Sequence, residues 1–184
     1  DAWIDDQDAA AETYGDINTW DVSEITDFSS LFRDKTTFNS DISNWDVSSG
    51  TDFSIMFYGA ESFNQDISSW DVGNGTDFAS MFNGASNFNQ DVSDWDVSNG
   101  TDFSSMFSNA SVFDQDISGW DVSNGTDFSD MFSGATLMIQ NKGVSATPYQ
   151  PYSPTFENKT DLSTAIDAWI DDQDAAAETY GDIN

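Results

Sequence analysis

Aspartate recurs in three columns whose members stand 25 residues apart. They are Asp16, Asp41, Asp66, Asp91 and Asp116; Asp21, Asp46, Asp71, Asp96 and Asp121; and Asp27, Asp52, Asp77, Asp102 and Asp127. Carboxylate oxygens are the ligands that hard cations take, so the chemistry this pattern offers is calcium binding. Stacked at the roughly 4.8 Å spacing of paired backbones, neighbouring carboxylates repel by about 1 kcal/mol in water and by several at a lower effective dielectric. Backbone donors, solvent or cations must offset that repulsion. For the Asp27 column the simplest offset is a backbone N–H at a helix start. For the Asp41, Asp66, Asp91 and Asp116 column it is a turn N–H or calcium. Asp21, Asp46, Asp71, Asp96 and Asp121 sit between inward-facing apolar residues and are expected to point outward as a ladder that is either solvated or calcium-bound. A local cluster, Asp5-Asp6-Gln7-Asp8 and its copy Asp171-Asp172-Gln173-Asp174, reads as a calcium site at a junction or a solvated helix face. None of these matches an EF-hand or a glycine-rich nonapeptide calcium repeat.

What must position these carboxylates is a repeat. Trp20, Trp45, Trp70, Trp95 and Trp120 recur every 25 residues, each followed by Asp-Val. A period of this size marks a stacked-repeat architecture. Apolar columns run through Phe38, Phe63, Phe88 and Phe113, through Phe53, Phe78, Phe103 and Phe128, and through Phe57, Phe82, Phe107 and Phe132, with a column of small residues at Ala60, Ala85, Ala110 and Ala135. Trp70-Asp71-Val72 alternates apolar and polar, which predicts a short strand. From Thr76 and Asp77, the apolar residues Phe78, Met81, Phe82 and Ala85 step by three and four, which predicts a short helix. The expected fold is an α/β repeat solenoid, a leucine-rich-repeat-like right-handed coil of about five rungs with helical caps and a sheet on one face.

The run Phe63-Asn64-Gln65-Asp66-Ile67-Ser68-Ser69-Trp70-Asp71-Val72, continued by Thr76-Asp77 and Met81-Phe82, resembles the BspA-like bacterial surface repeat family. The resemblance covers about residues 9 to 138. It implies a secreted or surface-anchored protein of many repeats, without known enzymatic activity. Two departures stand out. Gly50, Gly75, Gly100 and Gly125 occupy a position that is usually aliphatic in the family, and only Ile25 keeps it. Phe53, Phe78, Phe103 and Phe128 stand where the family often has Met. These read as one volume trade, the larger ring filling the space that glycine vacates.

Residues 1–18 reappear letter for letter as residues 167–184, which implies a tandem unit of 166 residues in a longer parent chain. The expected organisation is a helical cap over 1–15, the five-rung coil over 16–138, a Pro- and aromatic-rich strap over 139–160, and over 161–184 a helix that opens the next unit. The absence of a signal peptide fits a piece from the middle of a long secreted chain. End rungs need caps. Trp3, Ile4 and Tyr14, with Ile166, Trp169, Ile170 and Tyr180, are therefore the expected contacts between units.

Composition excludes whole classes of function. The chain has 34 acidic and four basic residues, no Cys and no His. Nucleic-acid and anionic-lipid binding need the Lys and Arg it lacks, and thiol chemistry and histidine acid–base catalysis are ruled out. Paired carboxylates serve glycosidases, but no pair is singled out, so no enzyme is expected. The expected role is a structural or adhesive module of an extracellular surface protein, calcium-responsive and self-associating head to tail. The alternative is recognition of a host protein or glycan through the sheet face. Tyr58, Tyr149 and Tyr152 are the better sugar-stacking candidates, since the Trp column keeps register with the core.

Overall fold

The chain divides into two compact units, Asp1–Pro148 and Tyr149–Asn184. The computed structural model describes Trp3 and residues 6–142, all within the first unit. The strap beyond residue 142, the helix expected over 161–184, and Ile4, Ile166, Trp169, Ile170 and Tyr180 lie outside the described residues.

The described residues open with helix α1 (Gln7–Tyr14). The Asp6 carboxylate caps it by accepting from the Ala9 N–H at 3.1 Å. Gly15, at φ +76°, ends it. A single 3₁₀ turn, Ile17–Thr19, leads into the stack. The last described segment is a helical turn, Met138–Lys142.

Between these ends the expectation of an α/β coil is wrong. The described residues contain no strand and no sheet; each rung is a chain of tight turns. The Trp-Asp-Val segment does not pair with its neighbours through a backbone ladder. Instead the Trp70 N–H bonds to the Ile67 carbonyl and the Gly75 N–H to the Val72 carbonyl, each closing an i→i+3 turn. Strand-like pairing between rungs is limited to one isolated parallel bridge per rung, running Asp27, Asp52, Asp77, Asp102, Asp127. Among the described residues no sheet face therefore exists for a partner to bind.

The predicted helix fails for a different reason. From Phe53 to Ala60, alternate N–H groups point in different directions. Phe53, Ile55, Phe57 and Gly59 donate to Asp77, Ala79, Met81 and Asn83 on the next rung, while Met56, Tyr58 and Ala60 donate back within their own rung. An α-helix needs every N–H for its own i−4 carbonyl. Two left-handed columns enforce the alternation. One holds Ser30, Ile55, Ser80, Ser105 and Asp130, at φ 54° to 61°; the other holds Asp34, Gly59, Gly84, Asn109 and Gly134. The three- and four-residue spacing is real, but it arises from consecutive turns.

The core follows the periodicity. Phe53, Phe78, Phe103 and Phe128 stack ring on ring at 5.3 to 5.6 Å between centroids. The Phe57, Phe82 and Phe107 rings do the same at 5.5 and 5.6 Å. Such pairs add about 0.5–1.5 kcal/mol each beyond area burial. Trp45, Trp70, Trp95 and Trp120 are buried. Each indole N–H crosses to the preceding rung, donating to the carbonyls of Ile17, Ile42, Ile67 and Val92 at 2.7 to 3.2 Å. These four Trp thus form a core ladder with its one polar atom satisfied, while Trp20 is only partly buried.

Candidate functional site

The aspartate columns come first, because each rung builds them in the same way. Asp46, Asp96 and Asp121 are exposed. In each, one carboxylate oxygen accepts the N–H of the serine two residues on, at 3.0 to 3.1 Å. Asp21 does the same with Ser23 and also accepts its hydroxyl at 2.7 Å; Asp71 accepts from Gly73. The Asp41, Asp66, Asp91 and Asp116 column repeats the arrangement with Ser43, Ser68, Ser93 and Ser118. These are Asx turns, the local bonding that makes Asp a turn residue.

Serine hydroxyl and backbone N–H bonds hold Asp21, Asp46, Asp66, Asp91, Asp96 and Asp116 below the ordinary carboxylate range. Asp121 is lowered chiefly by the Ser123 N–H. Among the described residues no three acidic side chains converge to hold a metal ion. Each carboxylate spends one oxygen on its own turn, and the second oxygen of Asp41 accepts from the Asn18 amide at 2.9 Å.

In the Asp27 column, Asp52, Asp77, Asp102 and Asp127 are half-buried and Asp27 is exposed. The column's carboxylates accept from Ser29, Ser54, Ala79, Ser104 and Ser129 at 2.8 to 2.9 Å, closing turns rather than starting helices. Burial raises Asp77 above the ordinary range, against the Ala79 N–H, and Asp52 and Asp102 on the flanking rungs push it the same way.

A second polar ladder escaped the sequence reading. The Asn39, Asn64 and Asn89 side-chain oxygens accept the backbone N–H of residues 64, 89 and 114 at 2.8 to 2.9 Å. Gln65, Gln90 and Gln115 donate back to the same asparagines' carbonyls. At the last rung Asp114 replaces asparagine. It accepts from Asn141 at 2.8 Å and lies 4.0 Å from the Lys142 ammonium, so the ladder ends on a cation instead of a further rung. The recurrence of Asn-Gln at 25-residue spacing was its signal.

The other feature is a groove of about 760 Å³ at the first rung. Trp3, Tyr14 and Trp20 wall it. Trp20 meets Trp3 edge to face at 5.8 Å and Tyr14 at 6.3 Å. The Trp3 indole is fixed by Ser40 at 2.9 Å and the Trp20 indole by the Tyr14 carbonyl at 3.0 Å. Trp3 and Tyr14, expected at a contact between units, thus stand together here. Ile25 and Leu31 lie on the groove, 44% and 47% exposed, with Asp21 and Lys35 among its polar lining. Tyr58 is engaged elsewhere, its ring under Arg33 at 5.6 Å.

Stacked 25-residue rungs, satisfied locally and joined only to their neighbours, define a repeat protein. The chain matches the family described as Mycoplasma protein of unknown function, DUF285, over residues 6–99 and again over 74–169. It belongs to that repeat family. No curated protein and no solved structure matches it. Among the described residues no helix is long and apolar enough to cross a membrane.

Proposed function

We propose that this chain is a structural building block of an extracellular, BspA-like surface repeat protein, whose units associate head to tail. The observation that carries this reading is the sameness of the rungs. Among the described residues, rungs two to five present closely similar turns and outward aspartates, and this sameness supports a mechanical role. The unit repeated over residues 1–18 and 167–184 supplies a joint between consecutive copies.

The exposed ladders bear on calcium. With one oxygen of each carboxylate committed to its own turn, divalent cations bind diffusely across neighbouring rungs, screening the net charge of −30. Light scattering tests this reading. Mass is expected to grow above the 20.2 kDa monomer with concentration, and further in millimolar calcium than in magnesium. A monomer at every concentration, with and without calcium, would remove both the association and the cation response.

A further inference from the structure

Rung one departs from the repeat at several positions, Glu24 and Asp34 among them, and three bear on the groove. Ile25 stands where the later rungs have glycine, Leu31 where they have Met56, Met81, Met106 and Met131, and Lys35 where they have alanine. All three line the groove. An end rung left to water would be expected to turn polar, since large exposed apolar patches on soluble proteins mark interaction sites. Here Ile25 keeps the aliphatic residue that the later rungs replace with glycine, Leu31 stays apolar, and both are exposed. The groove is therefore built for an apolar occupant, and its walls are aromatic.

The occupant is legible in the chain's own composition. On a molecule of net charge −30, a docking segment meets repulsion unless it is neutral or basic. Residues 143–156, Gly-Val-Ser-Ala-Thr-Pro-Tyr-Gln-Pro-Tyr-Ser-Pro-Thr-Phe, carry no charge and form the longest uncharged run in the sequence. Within them Pro148, Pro151 and Pro154 recur at every third position, followed in step by Tyr149 and Tyr152. Three residues is the period of a polyproline II helix, so in that form the prolines share one edge over roughly 20 Å. Proline edges seat in aromatic-lined grooves because the extended form is already stiff and loses little entropy on docking.

We propose that the first-rung groove, walled by Trp3, Tyr14 and Trp20, receives the Pro148–Pro154 segment of a neighbouring copy in polyproline II form. The inference rests on the head-to-tail reading above and names its contact.

The test titrates a synthetic peptide of residues 143–156 into the full chain, followed by tryptophan fluorescence and calorimetry. It is run in parallel on a chain with Pro148, Pro151 and Pro154 changed to alanine, so that association between copies does not mask peptide binding. Saturable binding to either chain is expected, weakened about tenfold or more by Leu31→Asp and by proline-to-alanine changes in the peptide. Leu31 is exposed, so Leu31→Asp leaves the fold intact, and Ile25→Ser provides a second probe. Binding to neither chain, or binding indifferent to both groove variants, overturns the proposal. Light scattering separates it from the reading it rests on. Peptide binding by a chain that stays monomeric keeps the groove and removes head-to-tail association. Association undiminished in the triple-alanine and Leu31→Asp chains keeps association and removes the groove.

Discussion

Gly75 and Phe78 share one volume. A Cβ placed on Gly75 would overlap the tip of the Phe78 ring, lie 2.9 Å from the Val72 carbonyl oxygen and 3.1 Å from the Phe53 ring. The same holds for Gly50 with Phe53, Gly100 with Phe103 and Gly125 with Phe128. The glycines are thus required by packing, and the ring ladder depends on them. Gly75→Ala is expected to cost about 1–3 kcal/mol, the usual range for overpacking. Pairing it with Phe78→Met should recover much of that loss, and chemical denaturation of the single and double variants measures the coupling. Additive effects would show that the two residues do not compete for space.

The left-handed column makes a second prediction. Ser30, Ser80, Ser105 and Asp130 sit at φ 54° to 59°, and Ile55 holds the same slot at 61°. L-residues lose roughly 1–2 kcal/mol in this region, and β-branched ones tolerate it worst. Ser80→Val is expected to cost about 1–2 kcal/mol, whereas Ser80→Gly should be neutral or stabilising. Urea denaturation checks both, and equal effects would show that the slot imposes no conformational demand.

Why the core was legible in the sequence and the backbone was not follows from these columns. Phe, Trp, Val and Ala recurring at 25 place themselves inward whatever the local conformation, because stacking alone decides their burial. The helix between Thr76 and Ala85 was misread because a run of i→i+3 turns leaves apolar residues at the same three- and four-residue spacing. The contrary signal was Ser80 and Gly84 recurring, with Ile55 the exception, as Ser, Asp, Gly or Asn inside the supposed helix. The strand at Trp70 was misread because Asp71 turns its carboxylate onto the Gly73 N–H instead of merely facing water. The groove was hidden because Ile25, Leu31 and Lys35 become a set only when the ends of the stack are known.

Protonation should act on Asp77 and Asp96 in opposite directions. Burial, reinforced by Asp52 and Asp102, raises Asp77 against the Ala79 N–H. Its folded pKa therefore lies above the unfolded value of about 3.9. The folded state holds that proton to higher pH than the unfolded chain does, so the charged carboxylate works against folding at neutral pH and stops doing so as pH falls through the folded pKa. Asp96 is the reverse. The Ser98 hydroxyl and N–H depress it, so its contribution is fully present above the unfolded value and is lost as pH falls through the lower, folded one. Asn retains the turn-forming oxygen in both places. Asp77→Asn should therefore stabilise the protein at pH 7 and make little difference at pH 3. Asp96→Asn should destabilise it at pH 7, with the gap closing below pH 4. Denaturation midpoints of the two variants at both pH values carry the test, because a shared sign at pH 7 would mean that general charge repulsion, rather than the local turn bonds and burial, governs both positions.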